Sequence, residues 1–194
     1  MDGRCGTHVH LIWRPHGSVN AGPMTPADFQ KFFPLVDDWM WAALAANAET
    51  ARPVASRGFP RLPLYFTAET LASAKVVITD RLPVPPLSSW GLTQFASFER
   101  RDPAGITYLD TCFLKPHQSK NEAIHFHELI HVIQWRVLGA ERFLRSYADG
   151  LERFGYRDSP LEVMAYDAEA RFVASTAGFD AEELVAENLA RLEY

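Results

Sequence analysis

Residues 120–138 constrain this chain more than any other stretch, because they read as one helix with His127-Glu128-Leu129-Ile130-His131 at its centre. Ser119 and Glu122 are spaced as a capping box at its start, and Gly139 supplies its stop. Histidines four apart lie on one helix face a turn apart, so both imidazoles reach a common ion. Glu128 is rotated by about 100° from His127, which sets it beside such an ion rather than on it. Phe126, Ile130, Ile133 and Val137 gather on the far side, as in a helix buried in a domain with its histidines facing a cleft. With seven His in 194 residues, random placement would yield roughly 0.02 such pentapeptides per chain. The spacing therefore predicts a zinc site, with Glu128 placed to take a proton from water.

Around that helix the pattern predicts an α+β fold. Thr25-Pro26-Ala27-Asp28 reads as a helix start, and Phe29, Phe32, Phe33, Val36, Met40, Ala43 and Leu44 continue at helical spacing, with Pro34 expected to kink or restart the helix. His8, His10 and Ile12 alternate with Val9 and Leu11 as in a brief strand, and prolines and glycines make 52–63 a loop. Strands are expected at Lys75–Thr79, Leu92–Phe98 and Ile106–Leu114, the last two joined as a hairpin, whereas the prolines of 81–86 exclude a central strand. Helices are expected at 141–154, 160–175 and 181–192. The reading is one domain over 1–194: a small, mostly antiparallel sheet packed on the motif helix, then a helical C-terminal half.

Composition narrows the partners. Nineteen Lys and Arg against 24 Asp and Glu leave a net charge of −5, which argues against a nucleic-acid binder. No apolar run is long enough to span a bilayer, and residues 1–15 lack the apolar stretch of a secretory leader. Cys5 and Cys112 are too few for a disulfide framework. A cytoplasmic protein without membrane or nucleic-acid partners is the expectation; the oligomeric state is not readable.

Catalytic zinc usually takes three protein ligands and a water. Gln134 and Val137 stand where H-x-x-G-x-x-H would need its glycine and last histidine, which excludes that pattern; a Glu from a later helix is the expected alternative. Glu141, Glu152, Glu162 and Glu169 are the candidates. Glu141 follows Gly139 too soon to fold back, and Glu152 lies 21 residues past His131. Glu162 stands early in a helix between Leu161 and Ala165, although Ser159 and Glu162 also match a capping box; it is preferred, with Glu152 the alternative. His125, about 200° from His127, points away from the site, and His117 reads as a surface residue.

His127-Glu128-Leu129-Ile130-His131-Val132-Ile133-Gln134, then Gly139 and Pro160-Leu161-Glu162 with Ala165-Tyr166, resembles bacterial zincin-like peptidases of the gluzincin type. The likeness spans 75–172, with 75–175 as a catalytic core, and leaves 1–74 unassigned. It implies zinc held by His127, His131 and Glu162, with Glu128 as the base. Thermolysin-like enzymes carry an Asp four residues past the zinc Glu; that place is Tyr166 here, and Asp167 follows. An oxyanion donor is expected among Tyr147, Tyr156 and Tyr166, with Tyr166 preferred for its place one turn from Glu162. The implied activity is zinc-dependent cleavage of a peptide or protein substrate, laid along the Ile106–Leu114 edge. The rival is a zinc-binding interaction or structural protein, against which the intact Glu128 argues.

Overall fold

The computed structural model describes residues 24–192, so the strand expected near 8–12 and Cys5 lie outside the described residues. Helix α1 (Pro26–Ala46) opens on a capping box: Thr25 accepts from the Asp28 N–H, and Asp28 accepts from the Thr25 N–H. It continues through Pro34 without restarting. A two-residue strand β1 (Arg52–Pro53) and a short helix α2 (Ala68–Ser73) lead into β2 (Lys75–Ile78). Then come α3 (Ala96–Glu99), β3 (Gly105–Tyr108), β4 (Thr111–Leu114), α4 (Glu122–Phe154), α5 (Pro160–Ala174) and α6 (Ala181–Arg191).

The four strands form one mixed sheet in the order β1-β2-β4-β3. Two pairings are antiparallel, and β2 runs parallel to β4. Both central strands are rich in residues that suit a pleated, buried surface, Val76 and Val77 in β2 and Cys112, Phe113 and Leu114 in β4. The expected strand Leu92–Phe98 is instead a helical turn at Thr93–Phe95 running into α3; Leu92 and Phe95 are buried there three residues apart, the helical period overriding the apolar run. The expected strand Ile106–Leu114 is itself the hairpin: β3 and β4 meet at a tight turn in which Leu109 takes φ 52°, in the left-handed region.

Helix α4 lies between the sheet and α5 and α6. Every residue from His125 to Trp135 is buried; Val137, expected on the apolar face, is exposed instead. Phe126 stacks on Phe172 of α5 and meets Tyr65 edge-on, while Tyr65 also meets Phe179. Such rings dominate core energetics, each contributing a few kcal/mol by burial alone, about 1.5–3 for a Phe. Val54, Leu62, Tyr65, Phe66 and Leu71 share this core with Val185 and Leu189, so it reaches beyond 75–175 on both sides.

The cap of α4 is Asn121, whose side chain accepts from the Ala123 N–H, rather than Ser119. Glu122 is not a capping partner: its carboxylate accepts the N–H groups of Arg61 and Leu62, tying the helix start to the 61–64 turn. The helices expected at 120–138 and 141–154 run on as one element across a kink at Gly139, which takes φ 73° and ψ 165°. Among the described residues no helix is long and apolar enough to cross a membrane.

Candidate metal centre

The pitch of α4 brings His127 and His131 onto one face, with their Nε2 atoms 3.2 Å apart. Glu162, in the first turn of α5, turns its carboxylate to both: Oε2 lies 3.6 Å from His127 Nε2, and Oε1 lies 3.6 Å from His131 Nε2. All three side chains are buried, and their donor atoms lie within 4.8 Å of one another. This group can hold a metal ion. For bonds of about 2.0–2.1 Å at tetrahedral angles, donor atoms stand about 3.3 Å apart, close to the triangle seen. Glu162 Oε2 is a buried carboxylate oxygen with no hydrogen-bond partner, which a cation would satisfy.

Both imidazoles are set for coordination by what holds their other nitrogen. His127 Nδ1 is 3.1 Å from Glu169 Oε2, and a carboxylate only accepts, so Nδ1 keeps its proton and Nε2 is the nitrogen left for an ion. His131 Nδ1 donates to Gln134 Oε1 at 2.8 Å; Gln134 is fixed in that sense because its Nε2 donates to the Leu161 carbonyl at 2.9 Å. Gln134 thus ties the helix of His131 to the residue before Glu162. Sequence reasoning did not find these roles for Glu169 and Gln134. Glu169 follows Glu162 by seven residues, two helical turns, which is the signal that could have found it. Neither Tyr166 nor Asp167 holds that place.

Glu162 does not cap its own helix: Ser159 makes no side-chain cap, and its hydroxyl is buried without a partner. The carboxylate instead accepts from Tyr147 Oη at 2.7 Å. Tyr147 gets there through the Gly139 kink, which lets Phe143 stack on Trp135 at 3.8 Å and Tyr147 stack on Phe143 at 5.7 Å. Glu152 is elsewhere, accepting from the Met24 N–H at 2.8 Å, and Glu141 accepts from the Gln30 side chain.

Glu128 stands beside the three donors, outside the group that can share an ion. Its Oε2 accepts from Thr107 Oγ1 at 2.6 Å. Gly105 on β3 makes room for it, since a Cβ there would collide with Glu128 Oε1 and Leu114. Burial raises the Glu128 carboxyl above its ordinary range, opposed by the two histidines. Burial alone would lower His127, but the Glu162 and Glu169 carboxylates beside it outweigh that and raise the imidazole to about 10. The two histidines hold Glu162 far below the usual carboxylate range against the effect of burial.

Glu128, His131 and Glu162 open onto a cavity of about 990 Å³, counting its mouth, walled by α1, the 85–98 segment, β3 and α4. Tyr147 and Tyr156 face it; Tyr166 packs its ring on His127, centroids 4.7 Å apart. His125 faces away, its Nδ1 on the Asn121 carbonyl, His117 is exposed, and Cys112 is a buried free thiol. No protein-family model matches the chain, and neither the curated proteins nor the solved structures compared with it match.

Proposed function

We propose that this protein is a zinc-dependent hydrolase of zincin-like architecture that cleaves an amide bond of a peptide or protein, with Glu128 as general base. The observation that carries the reading is Glu128 itself: a buried carboxylate beside the three donors, opening on the same cavity and anchored by Thr107. A site built only to hold a metal has no use for it. Two neutral imidazoles and a carboxylate are the donor set that suits zinc, and three protein ligands leave a position open. When bound, the ion would polarise the substrate carbonyl and acidify water.

The chain's own groups supply the rest. Glu128 takes a proton from the attacking water and delivers it to the leaving nitrogen. Tyr147 holds Glu162 in place, and Gln134 and Glu169 keep both imidazoles aimed by Nε2. Tyr166, whose ring packs on His127, carries the hydroxyl assigned to donate to the carbonyl oxygen as charge develops there. The experiment is a peptide-library digestion by zinc-loaded protein, run beside Glu128→Gln. Cleavage that vanishes in the variant while zinc stays bound supports the reading; cleavage that persists assigns it to another site.

A further inference from the structure

We propose that the group filling the cavity is the acyl chain of an N-acylated amine or peptide, its amide carbonyl at the metal end and its amine outside. This rests on the hydrolase reading above and names the substrate class. Among the described residues, no charged side chain lines the wall beyond His131, Glu128 and Glu162. Phe29, Phe33, Phe95, Phe98, Trp135 and Phe143 line it instead. From Phe143 to Leu151 the wall follows one helix for about 12 Å, a trough rather than a single side-chain pocket.

An extended peptide drawn into that trough would bring an N–H and a carbonyl with every residue, each needing a partner away from water. Among the described residues, the side chains of the wall offer few, the Tyr156 hydroxyl among them. The hydroxyls of Tyr108 and Tyr147 already donate, to the Pro83 carbonyl and to Glu162. Among the described residues, Glu162 Oε2 is the only buried side-chain atom without a partner that belongs to the cavity, at its metal end. On the β3 wall the Thr107 carbonyl is taken by the Trp135 indole N–H at 3.1 Å, which closes part of the edge to strand addition. An alkyl chain asks for no partner. In the reaction the amide C–N bond breaks, the water oxygen joins the acyl carbon, and Glu128 carries the water's proton to the nitrogen; the products are a carboxylate and an amine.

The test is isothermal titration of zinc-loaded full-length protein with straight-chain hydroxamates, whose head binds zinc and whose tail samples the trough. Each buried methylene should tighten binding by up to about fourfold, so octanohydroxamate should exceed acetohydroxamate by about a hundredfold or more. Ala148→Trp, which fills the trough from α4, should abolish that gain and leave acetohydroxamate unchanged; Val36→Trp does the same from α1 should the first variant not fold. A flat response to chain length, or tighter binding by a leucine-rich tripeptide hydroxamate, would overturn the acyl assignment while leaving the hydrolase reading standing. Failure of every hydroxamate, short or long, to bind zinc-loaded protein would instead overturn the metal-site reading and the acyl assignment with it.

Discussion

Glu128 and Glu162 are two buried acids with opposite electrostatics. Burial raises Glu128, whereas two imidazoles hold Glu162 ionised. That division fits the proposed roles: the group held ionised suits a cation, and the raised one suits proton transfer. Glu128→Gln should therefore keep zinc, read by elemental analysis, while hydrolysis falls at least about a hundredfold. Glu169→Ala and Gln134→Leu leave all three donors in place but release an imidazole Nδ1, so each should weaken zinc binding by about 10–100-fold in a chelator competition. Undiminished affinity in both would mean that the histidines are aimed by packing alone. His127, Glu128 and His131 were legible because helical pitch converts their spacing directly into shared geometry. Glu162 was legible only as one of two readings, since S-x-x-E also caps helices; Tyr147, arriving from another turn of the chain, decides between them. Gln134 bridges two helices, a tertiary fact that one helix's pattern does not carry.

Gly139 shows how a single backbone conformation organises a whole element. Its φ of 73° with ψ of 165° lies where side-chain-bearing residues are strained, although a Cβ would meet nothing within 4 Å. The cost of Gly139→Ala is thus conformational, about 1–3 kcal/mol in urea unfolding. Zinc affinity should fall as well, because the kink is what brings Tyr147 to Glu162. Gly105→Ala is the steric counterpart: it leaves the backbone relaxed but forces Glu128 to move, so hydrolysis should fall with zinc affinity unchanged. At this scale the sequence spoke unevenly. The 3.6-residue period announced the helices, and Gly139 read as a stop because glycine usually is one. The apolar run Leu92–Phe98 is too short for period alone to separate strand from helical turn, and the two-residue turn at Leu109 carries no glycine to announce it.

Across the molecule, the metal site couples folding to protons. In the metal-free chain His127 is raised from 6.5 to about 10, so its contribution to stability is fully present below about 6.5 and is lost as pH rises through about 10. Glu162 is held below its ordinary 4.5, so its contribution is present above that value and is lost as pH falls through the depressed one. Metal-free stability should plateau between these limits. Zinc needs neutral imidazoles, so binding at pH 7 should release at least one proton per ion, and affinity should rise with pH up to about 10; calorimetry in buffers of different ionisation enthalpy counts the protons. Helices α4 and α5 converge on three donor atoms, and the account's central claim is that these hold one zinc with a position left open. Zinc K-edge absorption on the loaded protein measures that directly. The account predicts about four N/O ligands near 2.0 Å, two of them imidazole, with one imidazole lost in His131→Ala. A sulfur shell near 2.3 Å, no imidazole signature, or a spectrum unchanged by His131→Ala would contradict it.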